Sequence, residues 1–158
     1  MPDPSFAGRC ACGEVRYRLT SPPMFVHACH CSECQRLSGG AFAVNAMIEA
    51  DRVETLAGEP EPVPVTGTSG KPQAIFRCPR CHVALWSHYP GAGPKIRFVR
   101  VGTLDEPARL PPDIHIFTST KLPWLALPDG VPAVEEYYSA NDYWPAKSLE
   151  RRAALRGG

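Results

Sequence analysis

The sequence predicts a mainly β fold with a short helix at its C-terminal end. The chain of 158 residues holds eighteen prolines and thirteen glycines, which disfavour long helices because proline removes a backbone donor and glycine weakens a helix. Short stretches of alternating apolar residues recur, whereas apolar residues at helical spacing are convincing only in the tail. At this length we expect one domain, residues 1–158, large enough to bury its own core.

The first half of the chain is predicted to form three strands and one short helix. Residues 15–19 alternate apolar and charged side chains, as in a half-buried strand. Residues 25–26 lead into the stretch 29–42, in which residues 32–37 predict one or two helical turns that a Gly-Gly pair ends. Residues 42–48 then place alternate apolar side chains on one face, and residues 53–56 are expected to return antiparallel to them.

The second half begins with an irregular surface segment, residues 57–73, which holds four prolines and three glycines and one short extended piece at 62–65. Pro145 stands at the first position of the predicted C-terminal helix, where a proline is tolerated. Residues 74–77 lead into the Cys78/Cys81 pair. The remaining predicted elements are strands at 83–86, 96–104 and 114–117, and a helix over 144–156.

Charge and hydropathy limit the classes of partner. The net charge is +1, with 17 basic and 16 acidic residues spread along the chain, so nothing favours nucleic acid or an anionic membrane. The first residues lack the basic start and apolar core of a signal peptide, and no apolar run approaches a membrane span. We expect a cytoplasmic protein; no pattern specifies its oligomeric state.

The seven cysteines are the strongest functional signal. Thiols that act only as small apolar side chains have no reason to cluster at metal-knuckle spacing. Disulfides are disfavoured in a reducing compartment. Residues two apart in an extended segment lie roughly 6.5 Å apart, near the limit that a disulfide can span. The three groups are Cys10/Cys12, Cys29/Cys31/Cys34 and Cys78/Cys81.

The thiols divide most naturally into four plus three, although their spacing permits other pairings. Zinc in structural sites has four protein ligands, and in catalytic sites it has three ligands and an open position. Two knuckles distant in sequence make the usual structural site. We therefore assign Cys10, Cys12, Cys78 and Cys81 to a structural zinc, and Cys29, Cys31 and Cys34 to a second zinc, with two zinc ions per chain.

The fourth ligand of the second zinc is water, a substrate or a histidine. His27, His30 and His82 lie beside cysteines, but histidines at such places more often support a ligand or face solvent. His88 and His115 have no cysteine near them in sequence.

Residues 78–82 also allow two redox interpretations. These residues fit Cys-x-x-Cys-His, the attachment signature of c-type haem. That attachment belongs to exported proteins and would leave five clustered thiols unexplained. A thioredoxin-like pair would need a surrounding βαβ pattern, which the sequence lacks. Metal binding is the interpretation that accounts for all seven cysteines.

Four motifs follow one another between residues 8 and 124. They are Gly8-x-Cys10-x-Cys12-Gly13-x-Val15-x-Tyr17, Cys29-His30-Cys31-x-x-Cys34-x-x-x-Ser38-Gly39, Phe76-x-Cys78-x-x-Cys81, and His115-Ile116-Phe117 with Lys121-x-Pro123-Trp124. In residue type, spacing and order they resemble the glutathione-dependent formaldehyde-activating enzyme family. The resemblance implies a β-tent-like fold of antiparallel sheets held by zinc knuckles, and the same four-plus-three division of zinc ligands. The chain departs from the family pattern at His82, where the family commonly has glycine, and at residues 118–120.

The resemblance also implies an activity. A zinc held by Cys29, Cys31 and Cys34, the predicted catalytic residues, would accept the glutathione thiol as fourth ligand and lower its pKa. The sulfur would then attack formaldehyde to give S-hydroxymethylglutathione, and the reverse reaction is a carbon–sulfur lyase step. Glutathione is thus the expected co-substrate. Candidate anchors for its two carboxylates are Arg36, Lys71, Arg77 and Lys121.

Two alternatives to this enzyme remain open at this point. One is a non-enzymatic zinc module that binds glutathione or another thiol, since a fold does not fix a function. The other is a related enzyme that acts on a different thiol or aldehyde. An open coordination position at the second zinc favours an enzyme, and a histidine in that position would argue against one.

Overall fold

The computed structural model describes residues 4–67 and 70–156, which form two sheets and three helices. The prediction of a mainly β fold with a short C-terminal helix is confirmed. No helix in these residues is long and apolar enough to cross a membrane. The elements are β1 (Phe6–Arg9), β2 (Arg16–Leu19), β3 (Phe25–Cys29), α1 (Ser32–Ser38), β4 (Ala43–Glu49), β5 (Val53–Ala57), β6 (Glu61–Thr66), β7 (Pro72–Arg77), β8 (Ala84–His88), β9 (Ile96–Arg100), β10 (Ile114–Ile116), α2 (Ala140–Tyr143) and α3 (Ala146–Arg156).

The larger sheet has seven strands in the order β10-β3-β4-β9-β8-β7-β6, and the smaller has the order β1-β2-β5. Neighbouring strands are antiparallel except for β10, which runs parallel to β3. The predicted return of residues 53–56 against β4 is wrong. A 3-10 turn at Ala50–Arg52 redirects the chain, and β5 pairs with β2 in the smaller sheet. Val53 is buried there, opposite Leu19.

β4 is buried on both faces and separates two apolar clusters. Ala46 and Ile48 pack on one face with Tyr17 and Trp86, in a cluster that includes side chains of both sheets. Met47 belongs to the second cluster, on the opposite side of the strand. Because a strand presents successive side chains to opposite faces, one strand serves both clusters. The second cluster adjoins the three-cysteine loop between β3 and α1.

The C-terminal segment covers this second cluster. The guanidinium of Arg151 donates two hydrogen bonds to Glu49, at 2.7 and 2.6 Å, and the Ser148 hydroxyl donates to the Met24 carbonyl at 2.6 Å. The Trp144 ring stacks on Phe25 with 5.7 Å between centroids. These contacts fix α3 on the larger sheet and explain its place, since a helix of eleven residues gains most of its stability from tertiary packing.

The two edges of the larger sheet differ in construction. At one edge, β6 carries Pro62 and Pro64 opposite Phe76 and Ala74 of β7; its extended piece was predicted, though the strand is longer than residues 62–65. At the other edge, residues 132–136 lie alongside β10. His115 donates its backbone N–H to Pro132 at 2.9 Å, and Val134 donates to the His115 carbonyl at 2.9 Å.

Candidate metal centres

The first group of thiols joins the two sheets. Cys10 and Cys12 lie in the loop between β1 and β2, and Cys78 and Cys81 lie in the loop between β7 and β8. The four sulfur atoms all lie within 4.8 Å of one another, with 3.6 Å between Cys10 and Cys12 and 3.7 Å between Cys12 and Cys78. The two pairs of cysteines are almost seventy positions apart in sequence. The fold brings them together, as a two-knuckle site requires.

The two knuckles have matching backbones. The N–H of Cys10 donates to the Val15 carbonyl at 3.1 Å, and that of Cys78 donates to the Val83 carbonyl at 3.1 Å. The residue after each second cysteine has a left-handed backbone. At His82, where glycine was the expected residue, φ is 64°, so histidine adopts the conformation that glycine would favour.

Backbone N–H groups also point at the sulfur atoms. Val15 donates to the Cys10 sulfur at 3.3 Å, and Arg80 and Cys81 donate to the Cys78 sulfur at 3.3 and 3.4 Å. Hydrogen bonds to an acceptor atom favour its charged form, and the Val83 backbone lowers the pKa of Cys81 to about 6. At Cys81 the knuckle loop therefore supports the thiolate, the form in which cysteine binds a metal.

The second group surrounds the start of α1. Cys29 ends β3, Cys31 is the N-terminal cap of α1, and Cys34 lies one turn into the helix. Their sulfur atoms lie within 4.8 Å of one another. The Cys34 N–H donates to the Cys31 sulfur at 3.2 Å, so the thiol takes the capping role usual for serine or aspartate. Gly39 ends the helix with a φ of 68°, as the Gly-Gly pair predicted.

These three thiols cannot all lose their protons without a neighbouring cation. Hydrogen bonds from Cys29 and Cys34 lower the pKa of Cys31 to about 2. Contact with Cys31 raises the pKa of Cys29 to about 12, and contacts with Cys29 and Cys31 raise that of Cys34. Ionisation of Cys31 thus opposes ionisation of the other two thiols. A divalent cation would remove this mutual repulsion, so the donor set fits a metal such as zinc.

No histidine joins either group among the described residues. His30 Nε2 lies 2.9 Å from His115 Nδ1, and His27 Nε2 lies 3.3 Å from the Asn45 amide nitrogen. Within residues 4–67 and 70–156, no further His, Cys, Asp or Glu ligand atom lies within 4.8 Å of all three sulfurs of the second group. The histidine alternatives, His27, His30 and His82, therefore do not supply a fourth ligand here.

A cavity of about 700 Å³ adjoins the second group, and all three of its cysteines line it. This volume is ample for a small peptide, since ligand pockets range over roughly 300–1,000 Å³. Its described aromatic side chains come from β8–β10, their loops and the C-terminal segment. They are Tyr89, Phe98, Phe117, Tyr137, Tyr138 and Trp144.

The cationic side chains on this wall are not the ones predicted as anchors. Lys95, Arg152 and Arg156 line the cavity, whereas Arg36, Lys71, Arg77 and Lys121 do not. Arg77 lines a separate cavity of about 340 Å³, and the Lys121 ammonium donates to the Leu122 and Leu125 carbonyls at 3.1 and 2.7 Å. Arg152 and Arg156 belong to α3, which reaches the cavity only through tertiary packing.

A polar chain extends from His27 and Asn45, which line the cavity, to Arg100, which does not. Arg100 donates to the Asn45 carbonyl oxygen at 2.5 Å and to the Ser87 hydroxyl at 2.7 Å, and Asn45 contacts His27. Burial, together with the charge of Arg100, lowers the pKa of His27 to about 4. Asn45 and Arg100 lie on neighbouring strands and face each other, a pairing that no local sequence pattern signals.

Comparisons with known proteins relate the chain to one family. Residues 5–120 match the family model described as glutathione-dependent formaldehyde-activating enzyme. A protein of Halomonas elongata, provisionally named as such an enzyme, is 29% identical over 126 residues, which are 76% of this chain and 79% of that protein. A crystal structure of a Rhodobacter sphaeroides protein is 18% identical, with a TM-score of 0.46, and the match covers 63% of this chain and 87% of that one.

Proposed function

Because the chain belongs to the glutathione-dependent formaldehyde-activating enzyme family, we propose that it condenses glutathione with formaldehyde to S-hydroxymethylglutathione, and catalyses the reverse, as a carbon–sulfur lyase. One observation carries the proposal. Cys29, Cys31 and Cys34 lie together on the wall of a 700 Å³ cavity, and no described side chain completes their ligand set. A closed structural site would instead have a fourth protein ligand.

The donor sets fit two zinc ions per chain. Cys10, Cys12, Cys78 and Cys81 would hold a structural zinc, and Cys29, Cys31 and Cys34 would hold a second one. When bound at the second group, zinc lowers the pKa of a thiol that reaches it and so favours the nucleophilic thiolate. These ligand assignments are part of the proposal. We also propose that residues 1–158 form a single zinc-binding domain, that the protein is cytoplasmic, and that it has no nucleic acid or membrane partner.

The cavity residues provide binding and orientation. Arg152 and Arg156, with Lys95, line the wall and suit the two carboxylates of glutathione, because cations form strong hydrogen bonds with carboxylates. The aromatic side chains keep water from the reacting atoms. Holding the sulfur beside the carbonyl carbon makes the encounter effectively intramolecular.

The chemical step balances without a further reactant. The glutathione thiol loses its proton, and a sulfur lone pair attacks the carbonyl carbon to form the C–S bond. The C=O π electrons move to oxygen, which takes a proton from water. The reverse reaction breaks the same C–S bond and releases formaldehyde and the thiol.

Calorimetry with two ligands tests the proposal. We expect glutathione to bind the zinc-loaded protein with release of its thiol proton, so the measured heat should depend on the ionisation enthalpy of the buffer. S-methylglutathione, which cannot form a thiolate, should bind much more weakly. Binding of glutathione should vanish in Cys31→Ser while the fold persists. Equal binding of the two ligands, or no binding of either, would contradict the proposal. NMR exchange measurements of formaldehyde with glutathione then separate an enzyme from a non-enzymatic carrier.

The lining also favours a second candidate, a related enzyme for a bulkier aldehyde. Six described aromatic side chains line the cavity, whereas formaldehyde has only two non-hydrogen atoms to contact them. In this case adduct formation with an aromatic aldehyde such as benzaldehyde should be faster than with formaldehyde at equal concentration. A preference for formaldehyde would exclude this candidate.

A further inference from the structure

His27 lies on the cavity wall beside the three-thiol group and has no role in the step described above. It is two residues before Cys29 on β3, and alternation places both side chains on the same face of the strand. Its side chain is 4% exposed, and it lines the cavity with Cys29 and Asn45. A buried imidazole normally has partners for both nitrogens. Here Nδ1 has none among the described residues.

The hydrogen bonds around His27 determine which nitrogen carries the proton. Arg100 is a donor only, and its Nη1 lies 2.5 Å from Asn45 Oδ1, so this amide atom must be the oxygen. The other amide atom, Nδ2, is therefore a donor, and it lies 3.3 Å from His27 Nε2. Nε2 must accept this hydrogen bond and so carries no proton. The single proton of the neutral ring is on Nδ1.

We propose that the Nδ1–H of His27 donates a hydrogen bond to the aldehyde oxygen and stabilises the negative charge that develops on it as sulfur attacks. This inference rests on the proposed function and makes His27 a catalytic residue of it. The buried Nδ1–H lacks a partner until an oxygen enters the cavity, so the hydrogen bond is gained with the substrate. A preorganised donor that meets developing charge is a strong form of catalysis.

The proton of His27 stays on the ring throughout. Electrons move from sulfur to the carbonyl carbon and from the C=O π bond to oxygen, and the oxygen takes its proton from water. Tyr137 packs edge-on against the His27 ring, with 6.4 Å between centroids. Because Tyr137 is 55% exposed, it can turn away from the ring when a ligand enters.

Two substitutions at this position separate the donor from the ring. In His27→Gln the side-chain oxygen can reach the place of Nε2 and accept from Asn45, but the Nδ1 donor is lost. In His27→Asn the amide nitrogen takes the place of Nδ1 and keeps the donor. With glutathione and formaldehyde as probes, we expect His27→Gln to slow the exchange roughly 10²–10³-fold, as does the loss of one oxyanion donor. His27→Asn should stay within about tenfold of the wild-type rate because its donor is retained.

Binding and spectroscopy provide readouts besides activity. Both variants should bind glutathione by calorimetry as the wild type does, because the donor contacts only the aldehyde oxygen. Nitrogen-15 NMR of the imidazole should show a protonated Nδ1 and a bare Nε2, and the Nδ1 proton should shift downfield when formaldehyde joins bound glutathione. A proton on Nε2, a wild-type rate in His27→Gln, or equal losses in both variants would overturn the inference.

These outcomes are distinct from failure of the proposed function. If the wild type neither binds glutathione nor exchanges formaldehyde, both proposals fail together. If the wild type is active and His27→Gln is equally active, the proposed function stands and only the role of His27 is wrong.

Discussion

Gly13 and His82 occupy equivalent positions in the two knuckles, each directly after the second cysteine, and both have a left-handed backbone, with φ of 80° and 64°. A side chain in this conformation raises the energy of the backbone by about 1–2 kcal/mol, because Cβ approaches the following carbonyl. The chain bears this strain at one knuckle and avoids it at the other.

Exchanging the two residue types should therefore have opposite effects. His82→Gly should stabilise the protein by about 1 kcal/mol, less the extra chain entropy that glycine adds to the unfolded state. Gly13→Ala should destabilise it by about the same amount. A Cβ at Gly13 would meet its nearest atoms at 3.7 Å, so strain and not crowding is the cause. Urea unfolding of the metal-bound protein measures the change in unfolding free energy for both variants. Changes of the same sign would show that backbone strain is not the cause.

We expect two zinc ions per chain in the purified protein. Each group brings its sulfurs within 4.8 Å of one another, and thiolates so close need a cation to offset their repulsion. Inductively coupled plasma mass spectrometry against protein concentration gives the ratio. One tightly held ion, with the second group empty at saturating zinc, would contradict the four-plus-three division.

The two centres should differ in their effect on folding. Cys12→Ser and Cys81→Ser remove ligands that join the two sheets, and a structural zinc contributes folding free energy directly. Both variants should misfold or lose much of their thermal stability. Cys31→Ser should give a folded protein, because the serine still caps α1. This variant should not bind glutathione. Circular dichroism melts compare the three, and equal melting temperatures would show that the division of roles is wrong.

The contact of Glu49 with Arg151 should matter for stability. The side chains are only 5% and 20% exposed, and breaking a buried pair leaves one charge unpaired, so Glu49→Gln should destabilise the protein by about 3 kcal/mol. The pair formed by Arg18 and Glu54 is about half exposed. Glu54→Gln is therefore the control for Glu49→Gln, and it should change the free energy of unfolding by less than about 1 kcal/mol.

The same carboxylate predicts a pH dependence. Burial opposes ionisation of Glu49, but hydrogen bonds from Arg151 outweigh it and hold the pKa below the ordinary 4.5. A lowered folded pKa stabilises the native state above the unfolded pKa and loses this effect as pH falls through the folded value. Stability should therefore decline below pH 4.5 more steeply in the wild type than in Glu49→Gln. Parallel acid profiles would exclude this contribution.

Arg152 should contribute to glutathione affinity and Arg36 should not. Arg152 lines the cavity, whereas Arg36 lies on the exposed side of α1 and was a predicted anchor. Arg152→Gln should weaken binding about tenfold, the loss of one charged hydrogen bond. Arg36→Gln is the matched control and should bind as the wild type does. Calorimetry measures the glutathione affinity of both variants. If Arg36→Gln weakened binding more than Arg152→Gln, the carboxylates of glutathione would bind elsewhere.

Local features of the chain were predictable from sequence. The turn chemistry of Gly39 and the alternation of Tyr17 and Leu19 depend on neighbours in the chain, and they give α1 and β2 as predicted. The sheet that β5 joins was not predictable. Its alternation is the same in either sheet, and the choice depends on the 3-10 turn at Ala50–Arg52 and on burial of Val53.

The cavity wall shows the same limit at longer range. The cysteine groups could be predicted from the sequence, because metal ligands from one loop lie at short spacings along the chain. His27, Asn45 and Arg100 form one hydrogen-bonded chain from three different strands. Each is an ordinary residue in its own segment, and only the pairing of the strands gives it a role. Sequence reasoning therefore grouped the thiols and named His27 only as a possible fourth ligand, and it missed Asn45 and Arg100.

The edges of the larger sheet bear on how the protein behaves in concentrated solution. An open strand edge is a template onto which another chain can add and begin aggregation. Pro62 and Pro64 take two N–H donors out of β6, and residues 132–136 already occupy the outer side of β10. Neither described edge thus offers a complete row of hydrogen-bonding groups to a second molecule. The prolines that interrupt the sequence pattern of the 57–73 segment thereby protect the sheet from growing into fibrils.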